Sequence, residues 1–67
     1  MTREAAINTA NAQGYGIRYS HNPKCYEIYF NFADGSDQLE WTGNTYEEAL
    51  SKMESIGYSV AERLMDI

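Results

Sequence analysis

From Tyr15 onward the chain alternates between apolar and polar positions. In "YGIRYS", Tyr15, Ile17 and Tyr19 fall on one side of an extended strand and Gly16, Arg18 and Ser20 on the other. "HNPK" follows, and its Asn22-Pro23 step is a turn signal. "CYEIYFNF" is the strongest strand: Tyr26, Ile28, Phe30 and Phe32 point one way, and Cys25, Glu27, Tyr29 and Asn31 the other. "ADGSD" reads as a hairpin connection in which Gly35 is free to take a positive φ. In the third strand, "QLEWT", alternation turns Leu39 and Trp41 inward and Gln38, Glu40 and Thr42 outward.

Helical spacing flanks this meander. "TREAAINTANAQG" has Thr2 as a cap, Glu4 in the first turn and Gly14 as a stop, with Ala6, Ile7 and Ala10 on one stripe. It lacks large apolar residues and needs a sheet to lean on. "GNTYEEALSKMESIG" opens with a Thr45/Glu48 capping box, and Ala49, Leu50, Met53 and Ile56 form its apolar stripe. Gly57 reads as its end. Ser59 with Glu62 then opens a short last helix in which Val60, Leu64 and Ile67 pack. The expected fold is α+β in the order α-β-β-β-α-α. A three-stranded antiparallel meander carries helices on one face and leaves the other open, all within a single domain, residues 1–67.

At 67 residues such a domain has a small core and a thin stability margin, which dimerisation or partner binding would supplement. Ten acidic residues against five basic ones give a net charge of -5. That field repels nucleic acid and anionic membrane and attracts a basic partner. The one cysteine, Cys25, allows no internal disulfide, and "MTREAAINTANAQ" has no apolar signal region. The expected location is the cytoplasm, as a monomer or weak homodimer.

The residue types that usually carry catalysis are scattered. His21 and Cys25 lie across a turn without an oxyanion-binding loop nearby, and read as a turn histidine and a strand cysteine. "DGSDQLE" supplies oxygen ligands, but its glycine stands second rather than sixth, so it reads as a hairpin tip and not a calcium loop. One histidine and one cysteine do not complete a zinc site. Glu47 and Glu48 have a structural reason in the first turn of a helix. The expectation is no enzyme, no metal and no cofactor.

What remains is a surface. Glu27, Tyr29, Asn31 and Glu40 fall on the open sheet face, and Asp34 and Asp37 at its hairpin tip. Tyrosine suits interface centres, and carboxylates steer a basic partner. A solvated polar face, common in small antiparallel sheets, accounts for the same acids.

Two resemblances bear on this choice. The layout α-β-β-β-α over residues 2–57 resembles a double-stranded-RNA-binding domain, but the basic clusters of that family have no counterpart. The first loop is "SHNPK", and the last helix opens "TYEEALSK" with Glu47 and Glu48 where cations belong. In length, acidity and α/β meander plan the whole chain is similar to the small anti-CRISPR proteins of phages and mobile elements. That resemblance implies a non-enzymatic inhibitor in the host bacterial cell. Its carboxylates would stand in for DNA phosphates on a basic, nucleic-acid-handling surface of a CRISPR effector complex, without itself binding nucleic acid. The alternative is a small housekeeping or structural domain, such as a homodimer paired through an edge strand.

Overall fold

The computed structural model describes residues 1–65. The chain folds as α1 (Arg3–Gln13), β1 (Tyr15–His21), β2 (Lys24–Asn31), β3 (Asp37–Gly43) and α2 (Tyr46–Met65). The architecture is α+β, an antiparallel sheet in the order β1-β2-β3 with both helices on one face.

Local signals place the ends of the elements. The Thr2 hydroxyl accepts the Ala5 N–H at 3.1 Å, capping α1. Gly14 closes that helix at φ 113°, and its N–H bonds back to the Ala10 and Asn11 carbonyls. At the start of α2, the Thr45 hydroxyl accepts the Glu48 N–H and donates to the Glu48 carboxylate, both at 3.1 Å. Between β2 and β3, Gly35 sits at φ 91°.

The core lies between the sheet and the helix pair. Ile28 and Met53 are its largest fully enclosed side chains, joined by Ala6, Ala10, Ala49 and Val60. Ile7, Tyr15, Ile17, Trp41 and Ile56 pack around Ala10, Ile28 and Met53. Aromatic rings fill the two ends of this layer. Tyr15 meets Phe30 edge-on at 4.9 Å, and Tyr26 touches both Tyr19 at 4.9 Å and Tyr46 at 5.6 Å.

The C-terminal segment departs from the expected pair of helices. It is one helix of 20 residues, and Gly57 lies inside it. The reason is a close approach to α1. A Cβ built at Gly57 would stand 1.8 Å from the Ala6 carbonyl oxygen, so only glycine lets the two backbones meet there. The buried stripe of α2 is Ala49, Met53, Gly57 and Val60, with the glycine in register. Ser59 is then an exposed mid-helix residue and not a cap. Leu64, expected to pack, is 53% exposed, and Ile67 lies outside the described residues.

The helices run side by side in the same direction. Arg3 on α1 reaches Glu47 at 2.7 Å and Glu54 at 3.5 Å on α2, while Gln13 lines a groove with Val60 and Leu64. The Tyr58 hydroxyl donates to the Met1 carbonyl at 3.0 Å and ties down the N-terminus. With both helices on one side, no element among the described residues covers the other face of the sheet.

Candidate functional site

The open face is organised around Arg18, a central β1 residue placed directly opposite Glu27. Its Nε donates to Glu27 Oε1 at 2.9 Å, and its Nη1 reaches across β2 to Asp37 Oδ2 at 3.0 Å. Its guanidinium carbon lies 5.0 Å from the centre of the Tyr29 ring. The hydrogen bond to Glu27, and behind it Asp37, raises the Arg18 pKa above its ordinary value. The Tyr29 ring lies over Gly16, where an added Cβ would come within 2.5 Å of the phenol oxygen. Tyr29 is therefore held flat across the sheet by a glycine below and an arginine alongside. A ring immobilised in this way loses little freedom on meeting a partner.

The β2–β3 ladder holds the largest departure from simple alternation. Ile28 pairs with Trp41, but Tyr29 pairs with Leu39, so β3 has one extra residue at this step, Glu40. The bulge shifts the parity of everything before it. Leu39, expected inward, sits opposite Tyr29 on the open face and is 50% exposed. Gln38, expected outward, is in register with Phe30 and is exposed at the end of the sheet. Trp41 and Thr42, beyond the bulge, keep their expected sides.

The structure treats the six residues singled out in sequence differently. Glu27, Tyr29 and Asp37 come together around Arg18, and Asn31 lies opposite Asp37 at the same end of the sheet. Asp34 does not join them. Its Oδ1 accepts the Ser36 hydroxyl at 2.6 Å and the Ser36 N–H at 2.9 Å, closing its own turn. Those two bonds lower the Asp34 pKa below the ordinary carboxylate value. Glu40 is exposed at the bulge and forms no ion pair among the described residues. Sequence reasoning placed Arg18 on this face without making it the hub, and missed Leu39. The Arg18/Glu27 pairing was available from strand register; the bulge had no local signal.

The other candidate chemistry is dispersed. His21 stacks edge-on against Tyr19 on the helix side, whereas Cys25 pairs with Ser20 on the open side. Among the described residues no group of three or more His, Cys, Asp or Glu side chains is placed to hold a metal ion. None of their helices is long and apolar enough to cross a membrane. A shallow groove of about 300 Å³ opens between Gln13, Tyr15, Phe30, Val60, Arg63 and Leu64. A second follows the outer ridge of α2 along Ser51, Glu54, Ser55, Tyr58, Ser59 and Glu62. No family model matches the chain, and no curated protein or solved structure is detectably similar to it.

Proposed function

We propose that this chain is a non-enzymatic protein inhibitor of the anti-CRISPR kind. Its open sheet face covers a basic, nucleic-acid-handling surface of a CRISPR effector complex and blocks DNA recognition. The observation that supports this reading is Leu39, a large apolar side chain turned out onto the open face beside a pinned tyrosine and rimmed by carboxylates. An apolar centre with a polar rim is the composition of a protein interface. Covering the exposed half of Leu39 contributes about 1 kcal/mol, and Tyr29 adds a rigid aromatic contact.

The charge on this face argues for steering rather than phosphate mimicry. Arg18 neutralises much of Glu27 and Asp37, and Asp34 is engaged by Ser36, so the acids do not form a row of free anions. Glu40 and the net charge of -5 raise the encounter rate with a basic partner, and Leu39 and Tyr29 hold the complex.

The test uses purified CRISPR effector complexes and a DNA-binding competition. The parent protein displaces DNA from an effector. Leu39→Asp loses that activity through faster dissociation, and Glu40→Lys loses part of it through slower association at low salt. Circular dichroism confirms that both variants fold. If both displace DNA as well as the parent does, the open face is not the contact. If the parent displaces DNA from no effector, the anti-CRISPR reading fails.

A further inference from the structure

The two edges of the sheet are protected to different degrees. β3 carries the bulge at Glu40, which interrupts its pairing pattern, and it has carboxylates at Asp37 and Glu40. β1 pairs with β2 through all seven of its residues without a break. It has no proline, and among the described elements it alone has no carboxylate: α1 carries Glu4, β2 Glu27, and α2 begins with Glu47 and Glu48. Its one formal charge, Arg18, leans over β2 to reach Asp37 on β3, which draws the guanidinium away from the β1 edge. A regular strand of this length offers about 24 Å of unpaired backbone.

We infer that the free edge of β1 pairs with β1 of a second copy of this chain, antiparallel about a two-fold axis at Arg18. The product is a continuous six-stranded sheet. This register suits the sequence of β1. Tyr15 faces His21 of the second copy and Ile17 faces its Tyr19 on the helix side, while Gly16 faces Ser20 on the open side. Tyr19 is 43% exposed and gains a cover it lacks in the single chain. The two Arg18 side chains meet at the axis, but each already belongs to a pair of carboxylates on its own sheet. In a protein with a net charge of -5, this edge is where two copies approach without opposing acids. An axis perpendicular to the sheet leaves both open faces on the same side and both helix layers on the other. The dimer thus presents two Leu39/Tyr29 patches to one partner surface.

An interface built mainly from one strand pair is small, so association depends on concentration. Charge also fixes its salt dependence: screening the mutual repulsion of two acidic chains favours the dimer, whereas docking on a basic partner weakens with salt. Sedimentation equilibrium of the purified chain, from micromolar to millimolar and at low and high salt, tests both. The expected mass rises from 7.6 kDa toward twice that value, and rises sooner at high salt. Tyr19→Glu and His21→Glu each place a carboxylate on the edge and hold the mass at that of one chain. His21 is exposed, so its variant keeps the test open if Tyr19→Glu does not fold. Leu39→Asp, on the opposite edge strand, dimerises like the parent. A mass of one chain at every concentration and salt overturns the inference. So does a dimer that Leu39→Asp abolishes while His21→Glu leaves it intact. A mass of one chain throughout leaves the effector test of the open face standing, because that test does not involve the β1 edge. A dimer held by Leu39 instead makes the open face a contact between copies, and displacement of DNA by the parent protein then decides the effector reading.

Discussion

Gly57→Ala is a sharp test of how the helices are held, because two opposing effects meet at one atom. In an exposed helix the change is favourable by about 1 kcal/mol, since alanine has the higher helix propensity. Here the new methyl would lie 1.8 Å from the Ala6 oxygen and 2.4 Å from the Ala6 carbonyl carbon. Both are backbone atoms, so no side chain can swing aside. To bring the closest contact to 3.0 Å, below which Cβ atoms essentially never approach other atoms, α1 and α2 must part by more than an ångström. That separation loosens Ala6, Ala10 and Met53 together, and these are much of a small core. Overpacking costs about 1–3 kcal/mol, and this contact belongs at the upper end. The net loss after the propensity gain is about 2 kcal/mol. In a domain of this size that lowers Tm by about 8–16 °C.

Urea unfolding followed by Trp41 fluorescence and by helical circular dichroism measures the loss directly. Ser59→Ala supplies the control. If a second helix began at Ser59, removing its cap would cost about 1 kcal/mol. In one continuous helix, where Ser59 is exposed, the same change stabilises by a few tenths of a kcal/mol. A neutral or stabilising Gly57→Ala together with a destabilising Ser59→Ala would refute the single helix and its close approach to α1.

Two further outcomes follow from the side-chain geometry. Arg18→Gln leaves Glu27 and Asp37 without their shared cation and lowers stability; the gap from the parent narrows as salt is added, and an unchanged gap at about 1 M salt, where the screening length is ~3 Å, rules out an electrostatic origin. The depressed Asp34 pKa means that its hydrogen bonds contribute stability above the unfolded-state pKa. That contribution is lost as pH falls through the folded value, so a carboxyl titration by NMR gives a midpoint below 3.8, and Ser36→Ala moves it back up.

The open face was legible in part. The alternation in "CYEIYFNF" put Glu27 and Tyr29 outward, and strand pairing then brought Arg18 to Glu27. Asp37 entered the cluster because a long guanidinium spans β2, a reach that strand patterns do not encode. Asp34 looked like a contact residue because acids at a hairpin tip look exposed; its oxygen is occupied by a serine two residues on.

Where a signal acts within one turn, the chain alone was enough. Thr2 and Thr45 cap helices through hydroxyls that bond backbone groups three residues ahead, and Gly14 stops α1 through its own φ. The period-two pattern of β1 and β2 likewise needs no distant partner to choose its faces. Leu39 and Gly57 were decided elsewhere. Leu39 points outward because one extra residue in β3 shifts its parity against β2, a property of two strands and not of either. Gly57 continues a helix because the α1 backbone, some fifty residues away in sequence, arrives where a side chain would stand. Local hydrogen bonding and backbone preference act over a few residues and can be read there; register and close packing depend on atoms that only the folded chain brings together.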